Sequence, residues 1–283
     1  MSTLSVYIGL DLGGTKLMVA SYDRAFNEIK RVKHPTPVSF HVGIDLIHRS
    51  IADVSSNDEI LGIGAAAGGP LDSKTGIISP LHQPEWCDVP LKKIMEDRWG
   101  CPFFVDVDTN VGAVGEYHLG NYDEKYFLYI TLSTGMGGGY LIDGKIYQGK
   151  CHPEIAHQSI NYKCSHPENI KCECGVNDCL EALVSGNGIR RIYGKPAEKL
   201  TDDEWDEVAY NIGQGLRNIS TILSPEIIVF GGGVSIGAGE QLLEKVDIYL
   251  QSKLRLVAPP TLKISCHGYD TALIGAAYIA RGK

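Results

Sequence analysis

The amino-acid sequence predicts an α/β protein with two similar lobes. Three observations carry that expectation. Short apolar runs alternate with stretches of helical period along the chain, the pattern of interleaved strands and helices. A strand–glycine turn–strand unit stands near the start, and a second lies more than a hundred residues later. The chain has 283 residues, enough for one large domain or two of ordinary size.

The elements follow in order. Val6 to Leu10 is a short apolar run, read as a buried strand. It ends in Asp11-Leu12-Gly13-Gly14-Thr15-Lys16, and Leu17 to Tyr22 is strand-like again. The glycine turn therefore joins two strands. A dinucleotide-binding crossover and a Walker loop both open a helix, so neither fits. Phe103 to Val107 reads as a strand running into the polar turn Asp108-Thr109-Asn110, and Val111 to His118 as the helix after it. Gly120-Asn121 marks a lobe boundary near 118–122. Tyr126 to Leu132 is a second apolar strand, Ser133 to Gly139 its glycine turn, and Tyr140-Leu141-Ile142 the return strand before the hairpin signal Asp143-Gly144. Thr201-x-x-Glu204 is a capping box. Trp205, Val208, Ala209, Ile212, Leu216, Ile219 and Leu223 recur behind it at helical spacing, and Ser224-Pro225 stops the run. A third glycine turn, Gly231-Gly232-Gly233, follows the apolar Ile227 to Phe230 and leads into a helix over Ala238 to Leu250. Leu273 to Ala280 closes the chain as a helix whose Gly275, Ala276 and Ala277 suit close packing.

Composition narrows the function. The hydrophobic fraction is 43% and the charged fraction 21%, as in soluble globular proteins. A net charge of −8 argues against nucleic acid as the main partner, because phosphate-backbone binders concentrate Lys and Arg. No apolar run approaches the roughly 20 residues that span a bilayer, so no membrane is expected. Met1-Ser2-Thr3 leads straight into an apolar strand rather than a secretory leader, and a cytoplasmic enzyme is the default expectation.

The densest chemistry lies between residues 154 and 181. Glu154-x-x-His157 is followed by Cys172-x-Cys174, then Cys179, then Glu181. Three thiolates and an imidazole are the ligand set of a closed tetrahedral zinc site. The alternatives are disulfides or plain buried thiols. Disulfides need an oxidising compartment, and Cys172 and Cys174 are too close for an easy bridge. Zinc is the favoured reading, with His157, Cys172, Cys174 and Cys179 as ligands. Cys151 and Cys164 are read as bystanders. The two carboxylates are not needed for the metal and are free to bind a polyol.

Phosphoryl transfer to an alcohol needs a grip on phosphates, a magnesium site, a pocket for the alcohol and a base for its proton. Gly13, Gly14, Thr15 and the 133–139 turn can bring backbone N–H groups to phosphate oxygens. Asp11 is placed to reach Mg2+ through water, since Mg2+ gives up its waters reluctantly. Glu154, His157 and Glu181 offer hydrogen bonds to hydroxyls. Asp108, at a strand end before a helix, is the candidate base, although a capping role for Asp108 or Thr109 fits the local sequence equally well.

These motifs, together with Gly68-Gly69-Pro70-Leu71-Asp72, resemble the ROK family of repressors and sugar kinases, over essentially the whole chain. The resemblance implies an actin-like (ribonuclease H-like) two-lobed fold with the ligand cleft between lobes. It places residues 1–118 in one lobe, completed by 271–283, and 119–270 in the other, with a zinc loop at 157–181. It implies an ATP-dependent hexose kinase in which Asp108 is the base for the 6-hydroxyl. Gly69, Asn110, Glu154, His157 and Glu181 would line the sugar pocket, with one ring nitrogen of His157 on structural zinc and the other facing the sugar. Asp11, Gly13, Gly14, Thr15, Lys16, Thr134, Gly135, Gly137, Gly232 and Gly233 would hold the nucleotide and its Mg2+. A homodimer is implied as well.

The chain departs from the family pattern at three places. Val107 stands where family kinases carry Asn. Ala156 replaces the glycine of Glu-x-Gly-His. Gln83-Pro84-Glu85-Trp86 lacks the usual glycine before Trp. These leave kinase chemistry in place and bear on the choice of sugar: glucose leads, with fructose and N-acetylated amino sugars (N-acetylmannosamine, N-acetylglucosamine) behind it. A sugar-sensing regulator is the rival class. It would need a helix-turn-helix module ahead of the first hairpin, which begins within ten residues of Met1.

Overall fold

The structure is a computed structural model and describes residues 4–81, 83–150 and 152–282. The chain divides into two compact units. One runs up to Leu119 and is rejoined from Asp270 on; the other is Gly120–Tyr269.

The first unit opens with β1 (Ser5–Leu12), β2 (Lys16–Tyr22) and β3 (Glu28–Pro35), continues through α1 (Phe40–Ser55) to β4 (Glu59–Ala67), and then forms a small sheet from β5 (Leu71–Asp72), β6 (Ile77–Ile78) and β7 (Val89–Pro90). Next come α2 (Leu91–Trp99), β8 (Phe103–Val107) and α3 (Asp108–Leu119). The main sheet has the order β3-β2-β1-β4-β8. Its first three strands are antiparallel neighbours, and β4 and β8 add on in parallel. β1 and β4 are apolar almost throughout because both faces are covered, as parallel strands require. β3 is the edge, and Lys30, Arg31 and Lys33 keep it polar and discourage edge-to-edge pairing. α1 buries Ile44, Ile47, Ile51 and Val54. Steps of three and four put them on one stripe, each worth about 1.5–3 kcal/mol when removed from water.

The second unit repeats the plan. β9 (Tyr126–Leu132), β10 (Met136–Ile142) and β11 (Lys145–Ile146) form the antiparallel part. A long irregular segment leads to α4 (Leu180–Val184), α5 (Gly186–Tyr193) and α6 (Asp202–Leu223), then to β12 (Ile227–Gly231), α7 (Gly233–Lys253) and β13 (Thr261–Ile264). The order β11-β10-β9-β12-β13 copies the first sheet strand for strand, including which pairs are parallel.

The capping box at Thr201 forms: its hydroxyl accepts from Glu204 N–H at 3.4 Å, and Glu204 Oε2 accepts from Thr201 N–H at 2.6 Å. Val208, Ala209, Ile212, Leu216 and Ile219 of α6 are buried, with Trp205 and Leu223 packed at the margin. Ser224 takes the left-handed conformation that ends the helix.

The last helix, α8 (Thr271–Ile279), belongs to the first unit. It lies so close to the sheet that a Cβ built on Gly64 would stand 2.0 Å from the Ala276 carbonyl oxygen. One built on Gly115 of α3 would stand 2.6 Å from the Gly275 Cα. Small residues on both sides let the backbones touch.

Three helix starts differ from expectation. α3 begins at Asp108 rather than Val111, so the candidate base sits in the first helical turn. α7 begins at Gly233 rather than Ala238 and is broken at Gly239, whose φ of 61° and ψ of −151° are not helical. α8 starts at Thr271, two residues early. In each case the helical backbone starts in a polar or glycine-rich turn ahead of the regular apolar period.

Candidate active site

In the first unit the site residues gather at the C-terminal ends of β1, β4 and β8, where the parallel strands deliver their chain ends to one edge. Asp11 is the next-to-last residue of β1, pairing with Met18 across the hairpin and with Ala66 on β4. Asp108 follows β8 directly. The two carboxylates sense each other: burial first, then the charge of Asp108, raise Asp11 to about 7, while Lys16 pulls the other way and Asp270 adds a little to the rise. A pair of acids in that relation is what a divalent cation relieves.

Asp108 Oδ1 accepts from Thr109 N–H at 2.7 Å. Asn110 is buried, and its side-chain amide donates to Asp106 Oδ1 at 3.1 Å. Its own Oδ1 is buried without a partner among the described residues, which leaves one acceptor beside the candidate base unspent. Asp106 also accepts from Val107 N–H at 2.8 Å, so it fixes Asn110 and the strand end together. Gly69 lies against Val107: a Cβ there would come within 3.5 Å of Val107 Cγ1. Gly69, Val107, Asp108 and Asn110 thus form one neighbourhood.

The turn Gly13–Lys16 closes with Gly13 N–H donating to the Lys16 carbonyl at 3.0 Å. Thr36 donates its hydroxyl to the Gly13 carbonyl at 2.6 Å, and Gln83 its amide at 3.3 Å. With the carbonyls tied back, the N–H groups of Gly14 and Thr15 make no hydrogen bond among the described residues, as an anion-gripping turn requires. Gly14, Thr15 and Lys16 are exposed.

In the second unit the turn 133–136 is built the same way. Ser133 N–H donates to the Gly135 carbonyl at 2.9 Å, while the Ser133 and Thr134 carbonyls accept from Gly186 N–H at 2.7 Å and Asn187 N–H at 3.0 Å. The Gly231–Gly233 turn adjoins it. Gly232 has φ +84°, and a Cβ there would fall 2.5 Å from the Leu132 carbonyl oxygen, so only glycine fits. Gly137 lies in β10, paired with Thr131. Tyr269 carries no local motif that marks it as a site residue, yet its exposed ring edge comes within 3.4 Å of a Cβ built on Gly233.

The cysteine cluster assembles around the start of α4. His157 Nδ1 is 3.5 Å from Cys172 Sγ, and Cys174 Sγ is 3.3 Å from Cys179 Sγ. One ligand atom from each of the four residues lies within 4.8 Å of every other. Metal–ligand bonds of about 2.0–2.3 Å in a tetrahedron set edges of about 3.5–3.8 Å, so the donor set fits Zn2+ with little adjustment. All seven described cysteines are free. Burial, with the neighbouring sulfurs adding to it, pushes the Cys179 thiol up, and burial raises Cys172. Cys174 is drawn down to about 7, first by the Val176 backbone and then by the other two sulfurs. Thiols so crowded compete for protons, a conflict that a bound cation removes. Cys164 lies apart from the cluster, and Cys151 lies outside the described residues.

Glu154 is exposed, at the head of the short turn that carries His157, whose N–H donates to the Glu154 carbonyl at 3.0 Å. Glu181 points one oxygen at the glycine turn: Oε2 accepts from Met136 N–H at 3.1 Å.

The ROK family pattern matches residues 7–283. A glucokinase of Halalkalibacterium halodurans is 30% identical over 97% of this chain and 94% of its own length. A fructokinase of Lactococcus lactis subsp. cremoris is 33% identical over 82% of this chain and 80% of its own. The structure of a ROK family glucokinase from Streptomyces griseus, in complex with glucose and AMPPNP, is 26% identical, covers 98% of this chain and 100% of that one, and superposes with a TM-score of 0.80. The chain belongs to the ROK family, and its fold is the two-lobed α/β fold of the family's sugar kinases.

Proposed function

We propose that this chain, a sugar kinase of the ROK family, transfers the γ-phosphate of ATP to the 6-hydroxyl of a hexose, with glucose as the leading substrate. The observation that carries the reading is the pairing of Asp108 with Asp11 at the ends of two strands of one sheet, beside a turn with unspent N–H groups. Asp108 accepts the hydroxyl proton as the oxygen attacks. Asn110, with its free acceptor, and Gly69 hold the sugar next to it; Glu154, His157 and Glu181 bind further hydroxyls. Gly13, Gly14, Thr15, Lys16, Thr134, Gly135, Gly137, Gly232 and Gly233 bind the nucleotide. Asp11 would hold Mg2+ through water, and the cation would supply charge neutralisation at the phosphates. His157, Cys172, Cys174 and Cys179 would hold a structural Zn2+, which would fix the ring orientation and tautomer of His157 and leave its other ring nitrogen to meet the sugar. The enzyme works as a homodimer in the cytoplasm. No helix of the described residues is long and apolar enough to cross a membrane.

Fructose is the second reading, favoured by His152-Pro153-Glu154 and the Asp106-x-Asp108 pattern, which resemble the fructokinase branch, and by the fructokinase relative. A panel of glucose, fructose, mannose and N-acetylated hexosamines with a coupled ADP readout separates the two; highest kcat/KM on fructose would replace glucose as the substrate. Asp108→Ala should lower kcat by about 10²–10⁴-fold with sugar and nucleotide affinity largely kept. Near-normal turnover in that variant would remove Asp108 from the role of base.

A further inference from the structure

α4 joins the cysteine cluster to the 133–136 turn of the second unit. Its N-cap is Cys179, which contributes a sulfur to the cluster and makes no side-chain capping bond. Two residues on, Glu181 accepts from Met136 N–H through Oε2, while its Oε1 lies 4.0 Å from Cys172 Sγ. The same oxygen Oε2 would stand 3.2 Å from a Cβ on Gly135. The chain then passes Ser185 into Gly186 and Asn187, whose N–H groups tie down the Ser133 and Thr134 carbonyls. Three hydrogen bonds at 2.7–3.1 Å therefore hold the glycine turn to one short segment.

That segment cannot hold its own shape. α4 has five residues, far below the roughly 12 at which an isolated helix becomes even marginal, so its geometry must be fixed from outside. Its start is tied by Leu180 N–H to the Gln158 carbonyl at 3.0 Å and by the sulfur of Cys179. A metal joining His157, Cys172, Cys174 and Cys179 would cross-link that start to three other points of the chain.

We propose that the Cys/His cluster sets the shape of the 133–136 turn, with Glu181 as the positioning residue between them, so that nucleotide affinity as well as sugar affinity depends on the metal. The inference rests on reading that turn as a phosphate grip. It gives Glu181 a task besides meeting the sugar: one oxygen orients the turn through Met136.

The test is ADP binding by calorimetry with no sugar present. The proteins are the zinc-loaded wild type, the wild type after chelation with metal loss verified, and zinc-loaded Glu181→Ala and Glu181→Gln. Chelation and Glu181→Ala should each weaken ADP about tenfold. Chelating Glu181→Ala should add little more, because both changes release the same turn. Glu181→Gln should stay within about threefold of wild type, since its amide oxygen can still accept from Met136 N–H. If the stripped protein unfolds by circular dichroism, the two loaded variants decide alone. Unchanged ADP affinity in Glu181→Ala, or equal loss in Ala and Gln, overturns the proposal. No ADP binding by the loaded wild type would defeat the nucleotide reading itself, and this inference with it.

Discussion

Asp11 shows how a single residue carries a testable electrostatic signature. Its folded-state value of about 7 lies above the ordinary 3.8, so the folded protein holds that proton more tightly than the unfolded chain does. The stability this contributes is complete below about pH 4 and is lost as pH rises to about 7. Asp11→Asn should flatten that decline. Urea titrations at pH 4.5 and 7.5 should show the variant gaining on the order of 1–3 kcal/mol relative to wild type at the higher pH. An identical pH slope in both proteins would mean that the acid is not perturbed. Added Mg2+ should shrink the difference, because a cation beside Asp11 and Asp108 relieves the same strain. Asn110 is also argued at this scale: a buried amide with one acceptor unused costs free energy unless a ligand hydroxyl meets it.

At the scale of elements, backbone proximity decides more than side-chain chemistry. α8 packs on the first sheet because Gly9, Gly62 and Gly64 present no Cβ to the backbone carbonyls of Leu273, Ala280 and Ala276. Gly64→Val should destabilise the first unit by about 3 kcal/mol or more, since the obstacle is a carbonyl oxygen that no rotamer can avoid. Thermal denaturation measures it, and a melting temperature within a degree of wild type would show that the helix can retreat. α6 and the two glycine hairpins were legible in the sequence because their signals are local: a capping box, a 3.6-residue stripe, an apolar run broken by glycine. The helix starts at Asp108 and Gly233 were not, because these first turns are polar or glycine-rich and carry no apolar period.

At the scale of the molecule, one strand order occurs twice, and the second copy carries an irregular insertion with the cysteine cluster. Outside the cluster, that insertion is fastened to α6 by Asn211, whose amide pairs with the Lys163 backbone at 2.9 and 2.8 Å, and by Asn218, which donates to Gln158 at 3.1 Å. Metal removal should therefore loosen one region and spare another. Hydrogen exchange should quicken in residues 157–181 and at 133–136, stay slow in β1 and β4, and be accompanied by a higher KM for the sugar. Uniform loss of protection along the chain would instead make the metal a global stabiliser, and no change anywhere would deny it a structural role.

The sequence by itself determined the α/β class, the glycine hairpins, the α6 core stripe and the grouping of one histidine with three cysteines, because each is written in neighbouring residues or a fixed period. It named Asp108, Asn110, Glu154 and Glu181 by type and resemblance. Only the tertiary structure decided that Asp108 shares its field with Asp11, that Asp106 holds Asn110, that Tyr269 lies beside Gly233 and that Glu181 reaches Met136. Asp106 and Asn110 are four positions apart and meet where the strand turns into the helix, whereas the other three pairs are 36 to 97 positions apart in the chain. Long-range pairing of this kind arises from sheet order and backbone approach, which leave no mark on local composition.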